Sequence, residues 1–214
     1  MTESEFRAMV RVSHEAGHLK HSKRTGWWIA GIKDPESIAE HSWRTAVIGY
    51  LLAHAEGADP ERTVTICVFH DLQEARTGDI PSVGKSYLAA TPAADVAKDQ
   101  VQDLPAAVAR GILELAGLAG GRSTAEAACA KDADKLECLL QAREYQRQGH
   151  QDVQPWIDSM VSAVRTKTGK AFAKATLEAD PVLSGGVRWP LPTGACSPDC
   201  QRPAEADAPA APDR

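Results

Sequence analysis

Residues 64–79 read VTICVFHDLQEARTGD, an apolar run that ends abruptly on a histidine and an aspartate. Val64, Cys67 and Val68 recur at helical spacing, and Pro60 suits the first turn of a helix, so a helix is predicted from Pro60 to about Ala75. On such a helix Glu74 lies four residues after His70 and three after Asp71, on the same face. Gly78 then lets the chain turn before Asp79. One imidazole and three carboxylates thus crowd the inner edge of a buried helix, which costs free energy unless a cation neutralises the acids. Imidazole with carboxylate is a ligand set for Mn, Co, Fe, Ni or Zn, with Mg weaker at a histidine. Spacing alone leaves a second reading open, in which Glu74, Arg76 and Asp79 form a solvated turn after a helix end.

The segments on either side also read as helix. Residues 4–21 place Phe6, Met9, Val10 and Ala16 on one side. After a loop with Gly26, Gly31 and Pro35, Ser37 and Glu40 form a capping box that starts a helix near Ile38, closed by Gly57. Gly78, Pro81 and Gly84 interrupt regular structure, and further helices are predicted at 92–100, 104–118, 123–148 and 155–179. No stretch alternates with period two over a strand's length. The expected fold is an all-α bundle of about six to eight helices without internal repeats.

Composition narrows the function classes. Among 214 residues, 43% are hydrophobic and 25% charged, ordinary for a globular chain. A net charge of -5 argues against a general binder of nucleic-acid polymers or anionic membranes. The N-terminus lacks a basic segment followed by an apolar one, and the run Ala46–Ala53 is too short to span a bilayer. Five cysteines, three of them in helical patterns, do not form an exported disulfide framework, and a cytoplasmic setting is expected. Seven of the thirteen prolines fall in residues 181–214, so a domain of residues 1–180 and a disordered tail of 181–214 are predicted. Within that tail Trp189 is a candidate to dock back on the domain, and Cys196 and Cys200 are read as free thiols.

Two further elements supply candidate ligands. His41 lies in the first turn of the helix begun at Ile38, and Asp132 and Asp134 open the run KDADKLECLLQAREY. An aspartate near a helix start is also favourable with the helix dipole alone. Periodicity does not choose between the two: Asp132 shares a face with Leu136 and Leu139, Asp134 with Cys138 and Gln141.

The order His41, His70-Asp71, Asp134 resembles the signature of HD-domain phosphohydrolases. Within them the chain is similar to the 5′-deoxynucleotidases, through KRTGW (23–27), PESIAEHSWR (35–44), HDLQEARTGDI (70–80), ADKLE (133–137) and QAREY (141–145). The resemblance implies an HD-domain helical bundle, and it selects Asp134 over Asp132. It implies one divalent cation, Co, Mn or Mg, held by His41, His70, Asp71 and Asp134. The implied activity is hydrolysis of nucleoside 5′-monophosphates, commonly the deoxy forms, by a homodimer. Glu74 matches the catalytic acid and Asp79 the contact to a sugar hydroxyl. Arg24 matches a phosphate-binding arginine, Lys85 a lysine of a relative, and Trp27 or Trp28 the aromatic beside the sugar. Three rival readings stand beside this one. They are a hydrolase of modified nucleoside triphosphates, a di-iron oxygenase drawing on His14, His18 or His21, and a nucleotide-binding module without catalysis.

Overall fold

The computed structural model describes residues 1–89 and 91–179. The expectations for residues 181–214, including Trp189, Cys196 and Cys200, lie outside the described residues. The chain runs through α1 (Glu3–His18), α2 (Gly26–Ile29), α3 (Ile38–Glu56), α4 (Pro60–Phe69), α5 (Glu74–Thr77) and α6 (Ser82–Lys85). It continues through α7 (Ala93–Val101), α8 (Ala106–Ala119), α9 (Ala125–Arg147), a 3-10 turn (Gln151–Val153), α10 (Gln154–Ala163) and α11 (Lys167–Glu178). Three of these, α2, α5 and α6, are four-residue turns, which leaves eight longer helices and no strand among the described residues. The all-α expectation holds.

Local chemistry sets most boundaries. The Ser37–Glu40 capping box forms as expected, and Gly57 closes α3 at φ 72°, a left-handed conformation that favours glycine. The Asp59 carboxylate accepts the amides of Glu61 and Arg62 at the start of α4, where Pro60 has no N–H to lose. The first helix ends at His18 rather than at residue 21, the chain continuing in turns.

Two further boundaries depart from the sequence expectation, the first for a local reason and the second for a distant one. The predicted helix from Pro60 to about Ala75 stops at Phe69. His70 Nδ1 donates to the Cys67 carbonyl at 2.6 Å, and the next amides bond three residues back, Leu72 to Phe69 and Glu74 to Asp71. Glu74 therefore reaches the cluster through a tightened turn, not as the next step on one helix face. The predicted helix 155–179 is likewise two helices, broken at Val164–Thr166. There the buried Asp132 carboxylate accepts the Arg165 and Thr166 amides at 3.1 and 2.7 Å and pairs with Arg122 at 2.6 Å. Gly169 packs over it so closely that a Cβ would lie 2.7 Å from Asp132 Oδ2.

The main core lies between α3, α4 and α9, with α10 and α11 closing it. It is filled by Ile48, Leu52, Ile66, Leu136, Leu139, Val153 and Ile157. Gly49 permits the close approach of α3 to α4, since a Cβ there would meet Cys67 Sγ at 2.7 Å. A separate small core joins Ala8 and Val12 of α1 to Val101, Leu104, Ile112 and Leu113.

Asp132 is thus a structural residue. Replacing it with alanine strips partners from two amides and Arg122, and a stability loss of about 2–4 kcal/mol is expected in urea unfolding. The folded fraction should keep its full metal content. A loss below about 1 kcal/mol would contradict this role.

Candidate active site

The helix packing brings four side chains of the sequence signature to one buried seam. His41, in the first turn of α3, is 0% exposed. Its Nδ1 bonds the Glu137 carboxylate of α9, so that nitrogen is the donor and Nε2 faces the opposite way. Nε2 lies 3.5 Å from Asp134 Oδ1 and 3.9 Å from Asp71 Oδ2. His70 follows the last residue of α4. A carbonyl only accepts, so the Cys67 contact fixes the proton on its Nδ1 and leaves Nε2 as the lone-pair nitrogen. That Nε2 sits 3.0 Å from Asp71 Oδ2, and the two imidazole centroids are 5.3 Å apart.

Both Nε2 atoms are buried without a hydrogen-bond partner. Two imidazoles with one nitrogen each tied down and the other left bare between carboxylates form a donor set suited to a divalent cation. Ligating atoms of His41, His70 and Asp71 all fall within 4.8 Å of one another. Asp134 Oδ1 faces the same space, while its Oδ2 bonds Lys135 at 2.9 Å. The residues fit a bound metal.

Electrostatics around the seam follow from burial and charge. Burial and Arg24 both oppose a charged His41, but Glu137 and Asp134 outweigh them and lift it to about 10. A cation at Nε2 would replace that proton and offset the same carboxylates. Burial would raise Asp71, but His70, His41 and Arg24 bring it down to about 2. Asp134 is also held well below the usual carboxylate range, burial being overcome by His41 and Lys135. Glu74 goes the other way: burial, then the negative charges of Asp71 and Asp79, push it up to about 8. Its Oε2 is buried and unpartnered.

The remaining expected residues are distributed unevenly. Arg24 reaches the seam, its Nη1 3.5 Å from Asp71 Oδ2, and the surrounding acids hold it charged despite its burial. Asp79 fastens the arginine loop: its Oδ2 accepts the Thr25 amide at 2.7 Å, and its carbonyl accepts the Thr25 hydroxyl at 2.7 Å. Lys85 is exposed on α6. Trp27 is 2% exposed, donates to Glu36 at 3.0 Å and packs on Tyr145 and Trp156, so it faces the core rather than a substrate. Trp28 is the exposed member of the pair, at 53%.

Sequence reasoning gave no role to Glu137 or Arg44, which hold His41 in place. Arg44 donates to Glu137 through Nε at 3.0 Å and Nη2 at 2.8 Å, and also to Gln141 and Glu144. A signal was present. Glu137, Gln141 and Glu144 form a polar stripe on a largely buried helix, opposite His41 and Arg44 one turn apart on α3. Volume is a poorer guide. A cleft of about 700 Å³ lined by Lys20, Lys23, Trp43, Arg44 and Tyr145 includes neither of the two histidines. The void touching His70 and Asp134 holds only about 10 Å³, roughly the room of one water-sized sphere.

Known proteins place this seam in context. The chain is 31% identical over 157 residues to the 5'-deoxynucleotidase HDDC2 of Dictyostelium discoideum, covering 63% of this chain and 76% of that protein. It is 34% identical over 145 residues to the 5'-deoxynucleotidase hdd1 of Schizosaccharomyces pombe, covering 60% of this chain and 68% of that protein. A solved structure of a conserved hypothetical protein from Pyrococcus furiosus superposes with a TM-score of 0.68 at 29% identity, over 79% of this chain and 99% of the other. The HD domain family model matches residues 16–176, a span that contains every residue of the seam, and the chain belongs to the HD-domain family.

Proposed function

We propose that this chain is a metal-dependent phosphomonoester hydrolase that releases phosphate from deoxynucleoside and nucleoside 5′-monophosphates. The observation that carries the reading is the pair of bare, buried Nε2 atoms beside Asp71 and Asp134, with Glu74 and Arg24 at the same seam. The 5′-deoxynucleotidase names of the relatives supply the substrate class.

His41, His70, Asp71 and Asp134 would hold one divalent cation, Co, Mn or Mg, with Fe, Ni and Zn as competitors for the same donors. Bound there, such a cation would supply Lewis-acid charge and lower the pKa of water. Arg24, held charged beside Asp71, binds the phosphate and offsets its charge as the P–O bond breaks. Glu74, with its raised affinity for a proton, protonates the departing 5′-oxygen and regains a proton from the water that attacks phosphorus. Asp79 accepts from a sugar hydroxyl through its carboxylate, and Trp28 rather than Trp27 is the aromatic available to the sugar. Lys85, exposed on α6, adds charge for the phosphate.

His14, His18 and His21 are exposed and join no metal-competent group among the described residues, so nothing favours the di-iron reading. A Glu74 carboxylate with its Oε2 buried and unpartnered is costly for a module that only binds, and it favours catalysis. No described helix is long and apolar enough to cross a membrane, and the cytoplasm is the proposed setting. A homodimer is supported by Trp43, Val47, Tyr50 and Leu51, which expose a helical stripe on α3, with Val68 of α4 lining one apolar hollow with Trp43.

Glu74→Ala should retain one metal per chain by elemental analysis while phosphate release falls by about 10²–10⁴; full activity would end the assignment. Chelation should abolish turnover, and add-back of Co, Mn or Mg should restore it. In that assay deoxynucleoside monophosphates should outrun ribonucleotides and triphosphates, and a faster triphosphate would redirect the substrate reading. Trp43→Glu should shift a dimer to monomer in light scattering, and an unchanged mass would refute the proposed interface.

A further inference from the structure

The four-residue turn α5 carries Glu74 but buries none of its own residues and has no side-chain cap. Inside the seam Glu74 Oε2 has no partner either. A one-turn helix cannot hold its own conformation, because nucleation costs more than its few hydrogen bonds return. Whatever positions Glu74 must act on the turn from outside.

Side chains of α1 and α7 reach it from outside. Arg76, two residues on, presents its guanidinium to Glu15 of α1 as a two-point fork, Nε to Oε2 and Nη2 to Oε1, both at 2.8 Å. Its third nitrogen, Nη1, reaches Asp99 of α7 at 2.5 Å. Gln100 of α7, 1% exposed, donates to Glu15 at 3.1 Å and to the Leu72 carbonyl at 3.3 Å, on the approach to the turn. His18 Nδ1 donates to the Ala75 carbonyl at 3.4 Å. Glu15 is only 15% exposed at its side chain and is held below the usual carboxylate range, chiefly by Arg76. These contacts come from α1 and α7, which with α8 build the separate small core through Ala8 and Val101.

We infer that Glu15, Arg76 and Gln100 are positioning residues, through which the small core of α1 and α7 holds the α5 turn and sets Glu74 against the substrate phosphate. They act through Glu74 and touch no reacting atom. The inference rests on the role of Glu74 given above. Bidentate geometry makes the arginine specific: a lysine keeps the charge but loses the fork. A misplacement of about 1 Å at a reacting group costs on the order of 10²-fold in rate, so the clamp should register in kcat before it registers in binding.

The test uses the full chain loaded with cobalt or manganese and a deoxynucleoside monophosphate. Arg76→Met and Glu15→Gln should each lower kcat by about 10- to 100-fold, with KM within about threefold and one metal retained per chain. Arg76→Lys should recover part of the loss. Hydrogen exchange of the 72–78 amides should quicken in Arg76→Met, which gives a readout independent of turnover. Arg7→Met, which breaks only an exposed pair with Glu3 on the same helix, should leave kcat unchanged. Unchanged kcat in both clamp variants, while Glu74→Ala is inactive, would overturn the clamp and spare the catalytic reading. An active Glu74→Ala would instead overturn the reading beneath it. A rise in KM or a loss of metal in place of the fall in kcat would also overturn the clamp, by showing that these residues serve binding.

Discussion

Glu137 is a carboxylate with no exposure to water, enclosed by an imidazole on one side and a guanidinium on the other. Such a charge is tolerated only where its partners are fixed, because removing either leaves an ion stranded in a poor solvent. His41 and Arg44 stand one turn apart on α3, and Glu137 sits between them from α9. This three-membered contact sets the register of the two longest helices. Once it is made, Asp134 is brought opposite His41 Nε2, one turn before Glu137. The close approach at Gly49 then brings α4 against α3, and His70 and Asp71 follow at the end of α4.

The two aspartates of α9 show how one helix can serve two purposes. Residues two apart on a helix point about 200° apart. Asp132 therefore faces α10 and α11, where it breaks what sequence reads as a single helix. Asp134 faces the histidines. Periodicity assigned each a respectable set of neighbours and so could not rank them, whereas the partners of their oxygens separate them at once. Asp132 has its oxygens occupied by two amides and an arginine; Asp134 turns one toward the bare imidazole nitrogen and the other toward Lys135.

What was legible in the sequence was whatever is decided locally. The box at Ser37, the proline after Asp59 and the glycine at 57 announce their boundaries because each satisfies a helix end from within a few residues. The turn after Phe69 was not legible, since it depends on a histidine ring bonding back to Cys67 while its other nitrogen faces α3 and α9. Nor was the break at 164–166, which needs an acid from more than thirty positions earlier. The site was readable as a set of residue types, and His41, His70 and Asp71 are brought together. Orientation was not readable. Trp27 matches an aromatic position in the motif, yet its indole bonds Glu36 and packs beneath Tyr145.

Arg24 and Glu74 lie fifty residues apart in the chain, and neither is held by the main core. The backbone shows how they are tied to the helix that carries His41 and to the segment that carries Asp79. The Arg24 amide donates to the Glu36 carbonyl at 3.0 Å, directly before the cap that starts the helix of His41. Its neighbour Thr25 is bound twice to Asp79, five residues after Glu74. The arginine loop is therefore a strap with one end on α3 and the other on the segment that follows α5. The guanidinium and the acid thus stand on segments that are tied directly to one another. In the proposed reaction, where charge builds on phosphate as a proton is passed to its leaving oxygen, the relative placement of these two groups would matter most. Asp79 contributes to it as a structural tie through Thr25, whatever else its carboxylate contacts.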